Sequence, residues 1–134
     1  MSLFNVFQIS GSAVSAQAKR LNVVASDLAN ADSVAGPDGT PYKARQVSFQ
    51  AEPLPGADVA GVRVSQLTET DAPLRRVHDP SHPLADAEGY VTHSNVNAVD
   101  EMVNMISASR AYQNNVEVMN TARALLAKTL QMGQ

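Results

Sequence analysis

The chain has no cysteine, which removes a disulfide framework and any thiol chemistry from consideration. That absence leaves the compartment open, because cysteine-free proteins work on both sides of a membrane. Tryptophan is also missing, and the aromatics are three Tyr and three Phe, so the 44% apolar content is mostly aliphatic and Ala. Charge is sparse, at 17% of residues and net −3, and no basic cluster is longer than Lys19-Arg20 or Arg75-Arg76. Nothing here can track phosphates or an anionic membrane, so nucleic acid is not an expected partner. No apolar run approaches the ~18 residues of a membrane span. The N-terminus does not read as a cleavable signal: Lys19 and Arg20 follow the apolar positions, and Asn5, Gln8 and Ser10 interrupt them. The chain is therefore expected in the cytosol, or to leave it by a route that needs no cleaved peptide. What is present, over 134 residues, is enough aliphatic content for one modest core.

Proline and glycine divide the chain. All seven prolines lie between Pro37 and Pro83, and five of seven glycines between Gly36 and Gly89, so two proline-free ends flank a turn-rich middle. The N-terminal zone (1–33) carries Phe7, Val14, Leu21 and Leu28 seven apart, with Phe4, Gly11, Ala18 and Ala25 between them. This 3-4 stripe is the seam pattern of a coiled coil, and its small register lets a partner helix come close. Ser2 is placed to cap its start and residues 30–36 to stop it, giving a helix of roughly 40 Å at 1.5 Å per residue. The C-terminal zone (96–134) repeats the spacing through Met102, Met105, Ser109, Tyr112, Val116, Met119, Arg123, Leu126 and Leu130. Asn97 is its N-cap, Asp100 sits at the positive end and Gly133 marks the stop. In the middle (34–95), Tyr42–Gln50 and Val59–Leu67 read as strands, with a last one at Gly89-Tyr90-Val91. Gly36-Pro37-Asp38-Gly39 is a turn, and Asp79-Pro80-Ser81-His82-Pro83 a rigid loop.

Charge placement separates the ends from the middle. Residues 1–30 hold only Lys19, Arg20 and Asp27, residues 96–134 hold six charges, and the 65 between hold the other fourteen. A helix with one buried stripe normally shows a charged opposite face. Here the opposite faces are Ala, Ser, Asn, Gln, Val and Thr. Leu3, Val6, Ile9, Val23 and Val24 at one end, and Val99, Val103, Ile106, Val118 and Leu125 at the other, lie off the seams. A lone helical hairpin would leave many of these in water, a larger apolar patch than soluble monomers carry. The ends are therefore expected to be covered by other chains.

Enzymatic readings find little footing. His78 and His82 are four apart, but Pro80 and Pro83 bracket the second and deny them a common helix face, so with His93 they read as solvated loop residues and no metal site. Asp100 and Glu101 point about 100° apart on a helix and complement its dipole. No nucleophile elbow or phosphate loop occurs, and no cofactor or small-molecule substrate is expected.

The two ends also carry recognisable motifs. The stretch 12–33, from Ser12-Ala13-Val14-Ser15 through Leu28-Ala29-Asn30, resembles the N-terminal motif of flagellar rod and hook proteins. The stretch 99–118, including Ser109-Arg110-Ala111-Tyr112-Gln113-Asn114-Asn115, resembles their C-terminal motif. Short length and the Gly36-Pro37-Asp38-Gly39 loop resemble the proximal rod members most. One departure is Asp27, where the family usually has Asn, which bears on a local cap or an inter-subunit hydrogen bond.

The resemblance implies a structural subunit, not an enzyme. It implies export through the flagellar type III apparatus without signal cleavage, and helical assembly into the periplasmic drive shaft needed for motility. Partners so implied are further copies, other rod subunits and the inner-membrane ring or its junction proteins, with the export apparatus met in transit. The fold expected is α+β, two long terminal helices forming a coiled-coil-like pair around a small irregular β/loop segment. The expected assembly residues are Phe7, Val14, Leu21, Asn22, Leu28, Asn30, Met102, Met105, Ile106, Arg110, Tyr112, Val116, Met119 and Leu126. Methionine packs adaptably where unequal subunits meet, and asparagines can bond between helices without carrying charge.

Overall fold

A computed structural model describes residues 2–133. Helix α1 spans Leu3–Ala29 and α2 spans Ala98–Met132, and between them run strands β1 (Arg45–Pro53), β2 (Ala60–Glu69), β3 (Arg76–His78) and β4 (Tyr90–Thr92). Two terminal helices thus flank a small strand and loop region, an α+β fold.

The helix ends follow from their capping residues. Ser2 Oγ accepts from the amide of Asn5 (3.2 Å), satisfying a first-turn donor. At the other end of α1, Asn30 donates through Nδ2 to the Ser26 carbonyl (2.9 Å) and accepts from Ser33 Oγ (3.0 Å), turning the chain away. Asn97 Oδ1 accepts from the amides of Val99 (3.1 Å) and Asp100 (3.3 Å), with Asp100 and Glu101 in the first turn of α2. The Gly133 amide still reaches the Thr129 carbonyl (3.1 Å) just past the helix.

The chain divides into two compact units, and both helices contribute to each. The first comprises Met1–Leu21, Val47–Gln66 and Ile106–Gln134. In it β1 and β2 are hydrogen-bonded neighbours, closed by a bond from the Leu54 amide to the Val59 carbonyl (2.9 Å). The hairpin seats on α1 at one point of close approach: Ser12 Oγ accepts from the Val62 amide (3.0 Å) and donates to the Ile9 carbonyl (2.7 Å). A methyl on Gly61 would lie 2.6 Å from that oxygen, so glycine is required there. The helices meet where the Met119 terminal methyl lies 3.8 Å from the position a Gly11 side chain would take, a contact between members of the two expected seams. Ala16, Ala108 and Ala122 are buried here.

The second unit comprises Asn22–Gln46 and Leu67–Met105. Strands β3 and β4 pair antiparallel with Val77 opposite Val91, and Val34 bridges to His93. Strand β3 was not expected from sequence: three residues, one of them Arg, give no alternation to read, and only its partner holds it extended. Asn95 organises the unit, accepting from the Ala44 amide (2.7 Å) and donating to the carbonyls of Thr70 and Ala72 (3.0 Å each). Ser94, 2% exposed, donates to the Ala31 carbonyl (2.8 Å). Backbone groups that no regular ladder satisfies find side-chain partners instead.

The expected seams need correction in detail. On α2, Met105, Ser109, Tyr112, Val116, Met119 and Leu126 of the expected seam are half-buried, whereas Met102, Arg123 and Leu130 are exposed and the fully buried positions are Ala108 and Ala122, beside the seam. Small residues win because they let the backbone approach. On α1 the fully buried side chains are Val24 and Asp27, neither on the expected seam, because the loops after the helix cover that side.

Candidate assembly surface

The side of α2 turned from the buried Ala108–Ala122 line is strongly apolar at its start. Val99 is 68% exposed, Met102 55%, Val103 61% and Ile106 54%. Val118 and Leu125 are also exposed, on a flank of the helix nearer the buried line. Leaving this many large side chains in water is costly at about 25 cal/mol per Å2, so the face is incomplete without a cover. The matching expectation for α1 needs correction: Val24 is buried and Leu3, Val6, Ile9 and Val23 are half-buried, covered within the chain. Phe4 (69% exposed) and, less fully, Phe7 are the large apolar residues that α1 leaves open at its start.

The expected assembly residues fall into two groups. Phe7, Asn22, Met102, Ile106 and Arg110 are exposed. Val14, Leu21, Leu28, Asn30, Met105, Tyr112, Val116, Met119 and Leu126 are half-buried, with one side available. Asn30 is engaged in its own helix end, and Asn115 donates to the Ala111 carbonyl (2.8 Å), so these amides serve their own helices.

Asp27 has a role that sequence reading placed elsewhere. Its carboxylate is fully buried and accepts from Tyr42 Oη (2.7 Å) and from the Arg45 amide (3.1 and 3.3 Å). It is an internal tie, not an inter-subunit bond. Tyr42 also lies 3.1 Å from Ser26 Oγ. Burial pushes the Tyr42 phenol above its ordinary value, Ser26 opposes this, and the Asp27 carboxylate adds to it. The lone acid among the three charges of α1 was the only signal in the sequence, and its partners lie fifteen and eighteen residues on.

The polar clusters elsewhere are structural. Asp86 accepts from the amides of Tyr90 (2.9 Å) and Glu88 (3.0 Å) and from Arg76 (2.7 Å); the Tyr90 amide is the main cause holding its carboxyl below the usual range. His78 lies in β3 against the Tyr90 ring (5.0 Å between centroids), and His82 accepts from the Leu84 amide (3.0 Å), so no helix face joins them.

Comparison with known proteins accounts for this arrangement. Residues 7–37 match the family described as flagella basal body rod protein, and residues 87–132 match the flagellar basal body rod FlgEFG protein C-terminal family. Proteins named flagellar basal-body rod protein FlgC are similar over the whole of both chains: 60% identical in Yersinia enterocolitica, 57% in Salmonella typhimurium and 58% in Escherichia coli O6:H1. The chain belongs to the FlgC family of flagellar basal-body rod proteins, structural components of the basal body and not enzymes.

Proposed function

We propose that this chain is a subunit of the proximal rod, assembling helically with further copies and with other rod proteins to form the drive shaft needed for flagellar motility. The observation that carries this reading is the uncovered apolar side of α2, Val99, Met102, Val103 and Ile106, in a chain of this family. Residues 1–33 and 96–134 form the inner assembly zones, and residues 34–95, which hold most of the charge, form the outer segment. The chain reaches the periplasm-spanning rod through the flagellar type III apparatus without signal cleavage, and its base neighbours the inner-membrane ring. The low charge of the ends supports this, since a wall of packed helices would have to desolvate every charge it buries.

Electron microscopy of basal bodies from a deletion strain tests the reading. Rings without a completed rod, restored by the wild-type chain but not by Ile106→Asp, are the expected result. Ile106 is exposed, so this variant folds, whereas Leu28→Asp would burden a half-buried position. Intact rods in the deletion strain would overturn the proposal.

A further inference from the structure

We propose that the free edge of β1 pairs antiparallel with the same edge of a second copy, Phe49 meeting Phe49 across a twofold axis. This goes beyond the reading of α2 as an assembly surface and does not depend on it.

Backbone directions in the hairpin follow from its hydrogen bonds. The Leu54 amide reaches the Val59 carbonyl, the Ser48 carbonyl accepts from Ser65 Oγ and the Ala44 carbonyl accepts from the Thr70 amide. Even-numbered residues along β1 therefore face β2. The Arg45 amide points the other way, to Asp27. By the alternation of an antiparallel pair, the amides and carbonyls of Val47, Phe49 and Ala51 also point away from β2. Among the described residues none of these groups has a hydrogen-bond partner. β1 is exposed at every position except half-buried Val47, so this edge is open to approach.

An axis through Phe49 makes the edge complementary to itself. It sets Val47 opposite Ala51 and gives every amide and carbonyl of Val47, Phe49 and Ala51 a partner. Arg45, whose amide is already held, falls opposite Pro53, which has no amide to offer. An axis through Ser48 would leave the Ala51 carbonyl facing the engaged Arg45 amide. One through Gln50 would leave the Val47 carbonyl facing Pro53. The side chains agree with the same register. Val47, Phe49 and Ala51 share one face and meet apolar residues there, while on the other Gln46 meets Glu52 and Ser48 meets Gln50. Parallel pairing in register would instead place Arg45 on Arg45 and Glu52 on Glu52.

The product is a continuous sheet, β2-β1 of one chain joined to β1-β2 of the other. At its outer margins the Val62 amide of each β2 is held by Ser12 Oγ. An isologous contact of this kind closes at two chains. It covers an edge that a free chain offers to any extended segment.

Analytical ultracentrifugation of the full chain over a wide concentration range tests this. The wild type should show a concentration-dependent dimer. Ala51→Pro removes only an outward amide, so it should preserve the melting midpoint while weakening the dimer by at least about tenfold. Because the chain has no cysteine, Phe49→Cys sets two thiols opposite each other and should give a disulfide-linked dimer under mild oxidation. Ser48→Cys should cross-link far less, since Ser48 of one chain lies opposite Gln50 of the other. A wild type that stays monomeric, a folded Ala51→Pro chain that dimerises undiminished, or equal cross-linking at the two positions overturns the inference. If Ala51→Pro unfolds, the cysteine comparison decides. Rod completion in the deletion strain is scored separately: a monomeric chain that still builds rods removes the pair alone.

Discussion

Tyr42 donates its phenolic hydrogen to a fully buried Asp27 carboxylate across 2.7 Å, joining the end of α1 to the segment that enters β1. The same carboxylate takes the Arg45 amide, so one side chain satisfies donors from two places in the following loop. Replacing it with Ala leaves both donors without this acceptor in a dry site. Asp27→Ala should lower unfolding free energy by about 2–4 kcal/mol, while Asp27→Asn, which keeps one acceptor oxygen, should cost less than half of that. Denaturant titration of the three chains measures it, and equal stability of wild type and Asp27→Ala would contradict the tie.

Alkaline pH should weaken the fold through Tyr42. Its pKa is raised in the folded chain above the ordinary 10.0, by burial first and with Asp27 adding. Stability from a raised group is fully present below the unfolded value and is lost as pH rises through the folded one. Melting temperature should therefore fall above about pH 10 more steeply in the wild type than in Tyr42→Phe. Parallel curves for the two would rule this out.

Gly61→Ala should destabilise by about 1–3 kcal/mol, because the added methyl would sit 2.6 Å from a Ser12 oxygen already held by the Ile9 carbonyl and the Val62 amide. Gly56, in the turn between β1 and β2, would meet nothing within 4 Å but has φ 74°, so its substitution strains backbone instead of packing. Thermal unfolding of Gly61→Ala decides; an unchanged midpoint would mean the hairpin shifts freely on α1.

Arg110→Ala should leave folding stability within about 0.5 kcal/mol, since the side chain is exposed, yet reduce rod assembly. Swimming assays paired with calorimetry separate the two effects. Normal motility would strip Arg110 of any inter-subunit role.

Amide exchange should divide α2. Residues around the buried Ala108 and Ala122 should be protected, and residues 127–133, all exposed, should exchange quickly in the isolated chain. Uniform protection to Met132 would show that the end is covered in solution.

Much of this architecture was legible because local chemistry set it. Ser2 and Asn97 cap the helices that spacing implied, and Asn30 ends α1 with its own side chain. The Met105, Tyr112, Met119, Leu126 line of α2 was legible as well, since large residues at a seven-residue repeat face one way. The finer register was not. Ala108 and Ala122, beside the expected seam, are the fully buried positions while Arg123 on it is exposed, because backbone proximity, which a pattern of apolar letters cannot express, favours the smaller residue. β3 was missed because its extended form depends on β4, across a loop. Asp27 was noticed for its charge, but its partners are chosen by the path of the loop, which only the folded chain reveals. Of the exposed apolar face of α2, Ile106 and Met102 were among the assembly residues expected from sequence, whereas Val99 and Val103 entered only as apolar residues off the seam, and all four are exposed.

The Asp27 tie has a mechanical consequence. Residues 30–44 form no strand of their own, and a load on β1 carried through them alone would be spent in straining a pliant connection. Hydrogen bonds from two donors, Tyr42 Oη and the Arg45 amide, to one carboxylate bypass that connection. Under load, force on β1 would thus reach α1 directly, and the stiffness of the joint would be set by a single side chain at its elbow.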